Sequence, residues 1–229
     1  MSISYISMAS KEDINFLIEG FIEAQKGGTE IVPIQKIFNI DIVELRSILS
    51  FFFNNDEIYD SEYSLNSYYL TKIENYPIAS LALWIENQNG LRSSMINSAL
   101  WYEALGNKKF NLVKNNLDLV NKYLLERLSD YLQCEYLYVL PNYRKTGVLK
   151  GLIKNSIRNF IQKNYGFEGL QTMLFKENIP SYNFFDSRGF RVVEEKIIGD
   201  DAYNIFFGHK TRVSMVLEKS KLEEFLDSL

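Results

Sequence analysis

The chain has 229 residues, of which 46% are hydrophobic and 24% are charged, and this composition excludes intrinsic disorder. Residues 1–132 hold 11 Lys and Arg against 17 Asp and Glu, and residues 133–229 hold 14 against 12, so neither half has the broad basic surface of a nucleic-acid-binding protein. The sequence has no apolar run of roughly 18–20 residues, no signal-peptide pattern and only one cysteine, Cys134, and one histidine, His209, which predicts a cytoplasmic protein without a membrane partner or a zinc site.

Strand-like and helix-like patterns are mixed along the whole chain, which predicts an α/β or α+β fold around one mixed sheet. Asp13 lies three residues after Ser10, as in a capping box, and so predicts the start of the first helix. In chain order the predicted strands are 2–10, 67–73, 76–87, 134–140, 170–176, 190–198 and 211–219, and the predicted helices are 11–25, 42–53, 93–106, 117–132, 147–164, 180–189 and 221–229.

A basic turn joins the strand at 134–140 to the helix that follows. Residues 141–166 contain six basic residues and no acidic one. The first turn of a helix has unpaired N–H groups and a partial positive charge, and a glycine such as Gly147 lets its backbone approach a ligand closely. The turn therefore favours an anion site, although a solvated basic helix face is the alternative. Neither a P-loop nor a dinucleotide-binding glycine motif is present.

Two motifs resemble the GNAT superfamily of acyl-CoA-dependent N-acyltransferases. The first is LYVLPNYRKTGVLKGLI, residues 137–153, which is similar to the strand–turn–helix of that family with its R-x-x-G-x-G/A signature. Arg144, Gly147 and Val148 match, and Leu149 stands where glycine or alanine is usual. The second is NIPSYNFFDSRGF, residues 178–190, similar to the family's N-x-x-A-x-x-F-Y-x-x-x-G-F segment. The matching residues there are Asn178, Phe184, Gly189 and Phe190, with Ser181 in place of alanine.

The resemblance implies a single GNAT-like domain over 1–229, with a twisted, mostly antiparallel mixed sheet flanked by helices. Residues 1–132 would form the acceptor side, with a helical insertion at 88–131, and residues 133–229 would bind acyl-CoA. The implied activity is transfer of an acetyl group from acetyl-CoA to a primary amine of a small molecule or peptide, by direct attack in a ternary complex. A non-catalytic acyl-CoA-binding or sensing module is the alternative, and transfer of a longer acyl chain also stays open.

The resemblance also implies site residues. Glu135 would be the base. Phe185 stands where many members of the family have the tyrosine that protonates the leaving thiolate, so Tyr182 would be the acid, with water as the alternative. A strand-end glutamate in solvent is the alternative for Glu135, and a regular strand would place it on one face with Leu137 and Val139. The residues implied to bind acetyl-CoA are Leu137, Tyr138, Val139, Arg144, Lys145, Thr146, Gly147, Val148, Leu149, Lys150, Asn178 and Tyr182.

The acceptor half contains an acidic and aromatic segment, residues 54–69. Four carboxylates and four tyrosines there suit a cationic amine, and a solvated acidic loop is the alternative. The 88–131 insertion is too long for a simple connection and would be a lid, an acceptor pocket, a homodimer surface or ordinary core.

Overall fold

The computed structural model describes residues 4–163, 166–199 and 202–229, which form one seven-stranded sheet with helices on both faces. The ends of the predicted segments 2–10 and 147–164 fall outside the described residues. The strands are β1 (Ser4–Met8), β2 (Tyr68–Ile73), β3 (Tyr76–Ile85), β4 (Leu132–Val139), β5 (Gly169–Phe175), β6 (Arg191–Ile197) and β7 (Thr211–Glu218). The helices are α1 (Ile14–Lys26), α2 (Pro33–Phe38), α3 (Ile42–Asn54), α4 (Ser93–Leu112), α5 (Lys114–Asn121), α6 (Val148–Ile161), α7 (Ile179–Asp186) and α8 (Leu222–Asp227), with a π-helical turn at Tyr203–Phe207.

The strands are ordered β1-β2-β3-β4-β5-β7-β6. All neighbours are antiparallel except β4 and β5, which are parallel. The predicted mixed and mostly antiparallel sheet is therefore confirmed.

One face of the sheet, the α1 side, is covered by α1, α3 and α4, and the other, the α6 side, by α6 and α8. Asp13 accepts hydrogen bonds from the N–H and the hydroxyl of Ser10, both at 2.9 Å, so the predicted capping box is present; a 3₁₀ turn at Lys11–Asp13 follows Ser10, and α1 begins at Ile14 rather than at residue 11. Gly20 lets α1 lie close to the sheet, because a Cβ there would come within 2.9 Å of the Ser80 hydroxyl oxygen. The described residues contain no helix long and apolar enough to span a membrane.

The helical segment between β3 and β4 packs on the α1 side. Trp101 in α4 stacks on Phe38 with ring centres 4.1 Å apart, and its indole N–H donates to the Tyr63 hydroxyl at 2.9 Å. The predicted helix at 117–132 is wrong in its second half: α5 ends at Asn121, and residues 124–128 have no regular secondary structure.

Side chains of four strands hold residues 123–128, which we call the strap. Gln171 of β5 bonds to the N–H of Leu128 and the carbonyl of Glu126 at 2.8 and 2.9 Å. Lys196 and Arg212 donate to the carbonyls of Leu124 and Tyr123. Glu194 and Glu135 accept from the N–H of Glu126 and from the side chain of Arg127. The strap therefore crosses the α1 side of the sheet where β4 and β5 meet.

Candidate active site

Strands β4 and β5 pair over only two positions and then separate. Leu132 pairs with Leu170 and Gln133 with Gln171, and no later residue of β4 pairs with β5. The amide of Gln133 donates to the side-chain oxygen of Gln171 at 3.0 Å and fixes the point of separation. Beyond it, residues 134–139 and 172–175 border an opening in the sheet, across which the backbone groups of β4 and β5 do not pair with each other.

A β-bulge in β4 accompanies the separation. The register against β3 shifts between Ser80 and Ala82, and Tyr136 has a φ of 52°. Cys134 and Leu137 pack on the α6 side, whereas Tyr136 stacks on Phe21 on the α1 side with ring centres 4.5 Å apart. The expectation that Glu135 shares a face with Leu137 is therefore wrong, because the extra residue of the bulge leaves Glu135 and Tyr136 together on the α1 side.

The basic turn lies at one end of the opening. Arg144, Lys145 and Thr146 are exposed, and the Nε of Arg144 donates to the carbonyl of Val139 at 3.1 Å, which ties the turn to the end of β4. Gly147 has a φ of 88°, and a Cβ built there would meet nothing within 4 Å. Open space therefore lies in front of the N-terminus of α6, where the first N–H groups have no intrahelical acceptor.

Part of the basic helix face is already paired. Lys154 and Arg158 approach the carboxylate of Asp227 in α8, at 4.0 and 3.5 Å. Among the described residues, Arg144, Lys145 and Lys150 have no ion pair. The positive charge available to an anion is thus concentrated at the turn, rather than spread along α6.

The structure brings several predicted acetyl-CoA residues together on the α6 side. The half-buried side chains there belong to β4, the start of α6, and α7; they are Leu137, Val148, Leu149 and Tyr182. Asn178 caps the start of α7, and its carbonyl accepts from the N–H of Tyr182 at 2.9 Å. Tyr138 lies apart from them, on the α1 side, with its ring 5.6 Å from Phe16.

Glu135 is buried and bound by a residue that sequence reasoning missed. The guanidinium of Arg127, in the strap, donates to both carboxylate oxygens of Glu135 at 2.9 Å, to Glu62 at 3.1 Å and to the hydroxyl of Ser93 at 3.1 Å. Burial raises the pKa of Glu135, and Arg127 lowers it; burial is the larger effect, so the pKa lies above its ordinary value. Burial would lower the pKa of Arg127, but Glu135 and Glu62 hold it well above its ordinary value.

The predicted acid and base lie on opposite faces of the sheet. Tyr182 is half-buried on the α6 side, and Glu135 is buried on the α1 side, so a group placed between them would occupy the opening. Phe185 is 3% exposed and packs edge-on against Phe190, with ring centres 4.9 Å apart. Phe185 is therefore a core residue. Cys134 is buried too, and burial raises the pKa of its thiol to about 12, which argues against a nucleophile.

The acidic and aromatic segment at 54–69 does not form one surface. Tyr63 and Tyr68 are core residues, and Glu62 binds Arg127. Asp56 pairs with Lys11 at 2.7 Å, and Asp60 accepts from Asn89. These groups have separate partners, so the segment does not by itself present a joint site for a cationic amine.

A cavity of about 400 Å³ lies between α2, α5 and the π-helical turn. It is lined by Gln35, Lys36, Asn39, Ile40, Leu112, Val113, Asn116, Ile205 and Phe206. None of the predicted site residues lines it, so the candidate active site is placed at the opening on the basis of strand geometry and charge.

Solved structures of acetyltransferases share this fold. An N-acetyltransferase from Staphylococcus aureus Mu50 superposes with a TM-score of 0.63 at 12% identity, covering 93% of this chain and 100% of that one. An agmatine N-acetyltransferase gives 0.53 at 11%, covering 94% and 99%, and a ribosomal-protein-alanine N-acetyltransferase from Brucella melitensis gives 0.53 at 13%, covering 93% and 99%. No family model and no curated protein matches the sequence. The chain has the fold of the GNAT superfamily of N-acetyltransferases, as its two motifs predict.

Proposed function

We propose that this protein transfers an acetyl group from acetyl-CoA to a primary amine of a small molecule or peptide, by direct attack in a ternary complex. The observation that carries the proposal is the opening between β4 and β5, with an exposed basic turn and a free helix N-terminus at its end. The similar structures are named for acetyl transfer to different amines, so the acceptor of this chain has to be inferred from its own residues.

The basic turn would hold the phosphates of acetyl-CoA. Phosphate is bound well by helix N–H groups next to a positive charge, and Gly147 leaves room for it at the start of α6. Arg144, Lys145 and Lys150 would supply charge, with the backbone N–H groups of Thr146, Val148 and Leu149 as further donors, since the hydroxyl of Thr146 already donates to the carbonyl of Tyr143 at 2.6 Å. The backbone of Leu137 and Val139 and the side chains of Asn178 and Tyr182 would border the rest of the molecule; Tyr138, on the other face, could contribute only its backbone.

Acetyl-CoA supplies an activated acyl group, and the chain has to position it and remove a proton from the amine. Glu135 is the proposed base, because its carboxylate is on β4 beside the opening and burial raises its pKa above the ordinary value, which makes it a stronger base than a glutamate in solvent. Tyr182 is the proposed acid on the other side of the opening, since Phe185 has no hydroxyl. Arg127 would orient Glu135 through its two hydrogen bonds.

The proposed function is tested by thermal unfolding with acetyl-CoA and by release of free CoA thiol across a panel of amines, polyamines, aminoglycosides and peptides. A ligand present at 100 times its Kd stabilises a protein by about 2.7 kcal/mol. We therefore expect a clear increase in Tm with acetyl-CoA and thiol release that depends on an acceptor. Absence of any increase in Tm at millimolar acetyl-CoA would contradict the proposal.

We expect Arg144→Ala to weaken acetyl-CoA binding by about 1–3 kcal/mol, because it removes a charged hydrogen bond to phosphate. The measurement is a calorimetric titration with acetyl-CoA. Arg158→Ala is the matched control, since Arg158 lies in α6, the helix that follows the basic turn, and approaches Asp227. Equal losses in both variants would mean that only the general positive potential matters, and an unchanged affinity in Arg144→Ala would remove Arg144 from the site.

The second candidate function is a non-catalytic acyl-CoA-binding module, favoured by the buried Phe185 at the place of the usual acid. It would show the same increase in Tm but no acceptor-dependent thiol release. A coenzyme thiolate is a good leaving group, so loss of one acid need not abolish transfer. Thiol release with any amine would decide against this candidate.

A further inference from the structure

Arg212 lies on the α1 side of β7, next to the proposed site. Its neighbour in sequence, Val213, is buried in the core on the α6 side, so Arg212 faces the opposite way, as Glu135 does. In the sheet, Arg212 is paired with Phe175 of β5 and Lys196 of β6. Phe175 is the last residue of β5, so Arg212 is level with the open end of the gap between β4 and β5 and lies one strand away from it, on the far side of β5.

The guanidinium of Arg212 is half-buried between aromatic rings but makes few hydrogen bonds that would replace those to water. Its carbon lies 5.9 Å from the ring centre of Phe175 and 5.6 Å from that of Phe207. One nitrogen donates to the carbonyl of Tyr123 at 3.1 Å. Over residues 4–163, 166–199 and 202–229, no carboxylate comes within 4.0 Å of it. Most of its N–H donors therefore have no acceptor in the part of the chain that the structure describes.

The contrast with Arg127 shows what is missing at Arg212. Both arginines lie on the α1 side near Glu135, but Arg127 binds two carboxylates, whereas Arg212 binds one carbonyl. Burial lowers the pKa of Arg212 to about 10, which leaves it charged at neutral pH. A charge moved out of water is normally compensated by a charged or hydrogen-bonding partner, so this guanidinium is suited to bind an anion.

We propose that Arg212 binds the carboxylate of the acceptor, and that the acceptor carries both an amine and a carboxylate, as amino acids do. This rests on the proposed function, because it assigns the second substrate of that site. The charges of Glu135, Glu194 and Arg127 all act on the pKa of Arg212; the two carboxylates favour its charged form and Arg127 opposes it. An acceptor lying across β5 on the α1 side would have its amine towards Glu135 and its carboxylate at Arg212, which can bind it through two parallel hydrogen bonds.

Arg212 also has a structural contact that has to be separated from this role. Its bond to Tyr123 helps to hold the strap, and Lys196 makes a similar bond to the carbonyl of Leu124 at 2.5 Å. Lys196 also pairs with Glu194 at 3.3 Å, so its charge is compensated. Lys196→Gln therefore removes a neighbouring cation and a strap contact without removing the proposed anion site, and serves as the matched control.

The test compares acceptors that differ only in the carboxylate: glycine, L-alanine and 4-aminobutyrate, each with its primary amide. For the wild-type protein we expect kcat/KM to be at least about tenfold higher for one or more acids than for the matching amides. In Arg212→Gln this preference should fall by about 10- to 100-fold, with the amides little changed. Lys196→Gln should keep the preference for the acids over the amides. Arg212→Lys retains the charge but not the planar guanidinium with its two parallel N–H donors, so it should keep part of that preference.

A calorimetric titration of the same acids into each variant with CoA present gives a readout independent of turnover. Binding to the wild type and Lys196→Gln that is lost in Arg212→Gln supports the anion site, even if no acetyl transfer is found and the proposed function fails. The proposal is overturned if the wild type neither binds nor prefers the acids, if Arg212→Gln affects acids and amides equally, or if Lys196→Gln removes the preference as well. Acetylation of amines without any carboxylate preference would leave the proposed function standing and remove only the role of Arg212.

Discussion

Arg127→Met should lower the free energy of unfolding by about 3–5 kcal/mol, the typical effect of removing one partner from a buried ion pair. The guanidinium is the one cation that binds Glu62 and Glu135 among the described residues, and Glu86 also lies buried beside Ser93, to which Arg127 donates. Without Arg127 two buried carboxylates would lose their counter-ion. Urea unfolding at neutral pH measures the effect.

The loss in Arg127→Met should become smaller as the pH is lowered. Arg127 lowers the pKa of Glu135, so its removal raises that pKa further above the unfolded value. An acid with a raised pKa contributes stability that is present below the unfolded pKa and is lost as the pH rises through the folded one. The variant should therefore be closest to the wild type in acid, and a loss independent of pH would contradict this account.

Arg92→Met is the matched control for this experiment. Arg92 pairs with Glu126 at 2.7 Å, but both side chains are about half-exposed, and such surface pairs contribute about 1 kcal/mol or less. A similar loss of stability in both variants would mean that burial of the Arg127 cluster is not the cause.

Glu135→Gln should lower turnover by about 10²–10⁴-fold, the usual contribution of a positioned acid or base. Because the pKa of Glu135 is raised by burial, the kcat/KM of the wild type should decrease as the pH falls, starting at a higher pH than for an ordinary glutamate. Glutamine does not titrate, so this decrease should be absent in the variant. The measurement is a pH–rate profile at ~pH 5–9.

Glu62→Gln separates the role of Glu135 as a base from its role as a partner of Arg127. Glu62 binds the same guanidinium but is not the proposed base, so its substitution should affect stability while changing turnover less than about tenfold. Acetyl-CoA affinity should be retained in both variants. If Glu62→Gln and Glu135→Gln lose turnover equally, and both still show the decrease in kcat/KM at low pH, then Glu135 is a structural residue and another group is the base.

Much of the architecture follows from local patterns. Alternating apolar residues predict the hairpin of β2 and β3, and the apolar stripe of α6 at Leu152, Ile153 and Ile157 is buried as expected. The basic turn is also a local feature, since a glycine with a positive φ at a helix start and adjacent basic residues are all close in sequence. For these elements, short-range periodicity and turn chemistry agree with the tertiary structure.

The strap shows where such patterns fail. Its leucines continue the helical spacing of α5, which predicted a helix through 132. Side chains from distant strands, including Gln171 and Lys196, instead bind its backbone N–H and carbonyl groups, which a helix would need for itself. This difference brings Arg127 to Glu135, a contact with no signal in the sequence.

The sequence by itself therefore determined the seven strands, the helices other than α2, the family resemblance and the basic turn, because each depends on residues near one another along the chain. The tertiary structure alone decided the surroundings of Glu135, the burial of Phe185 and the position of Arg212. These depend on one extra residue in β4, which changes the face of the side chains that follow, and on contacts between strands far apart in sequence. Burial and counter-ions set the chemistry of charged groups, and both are fixed only when the sheet is assembled.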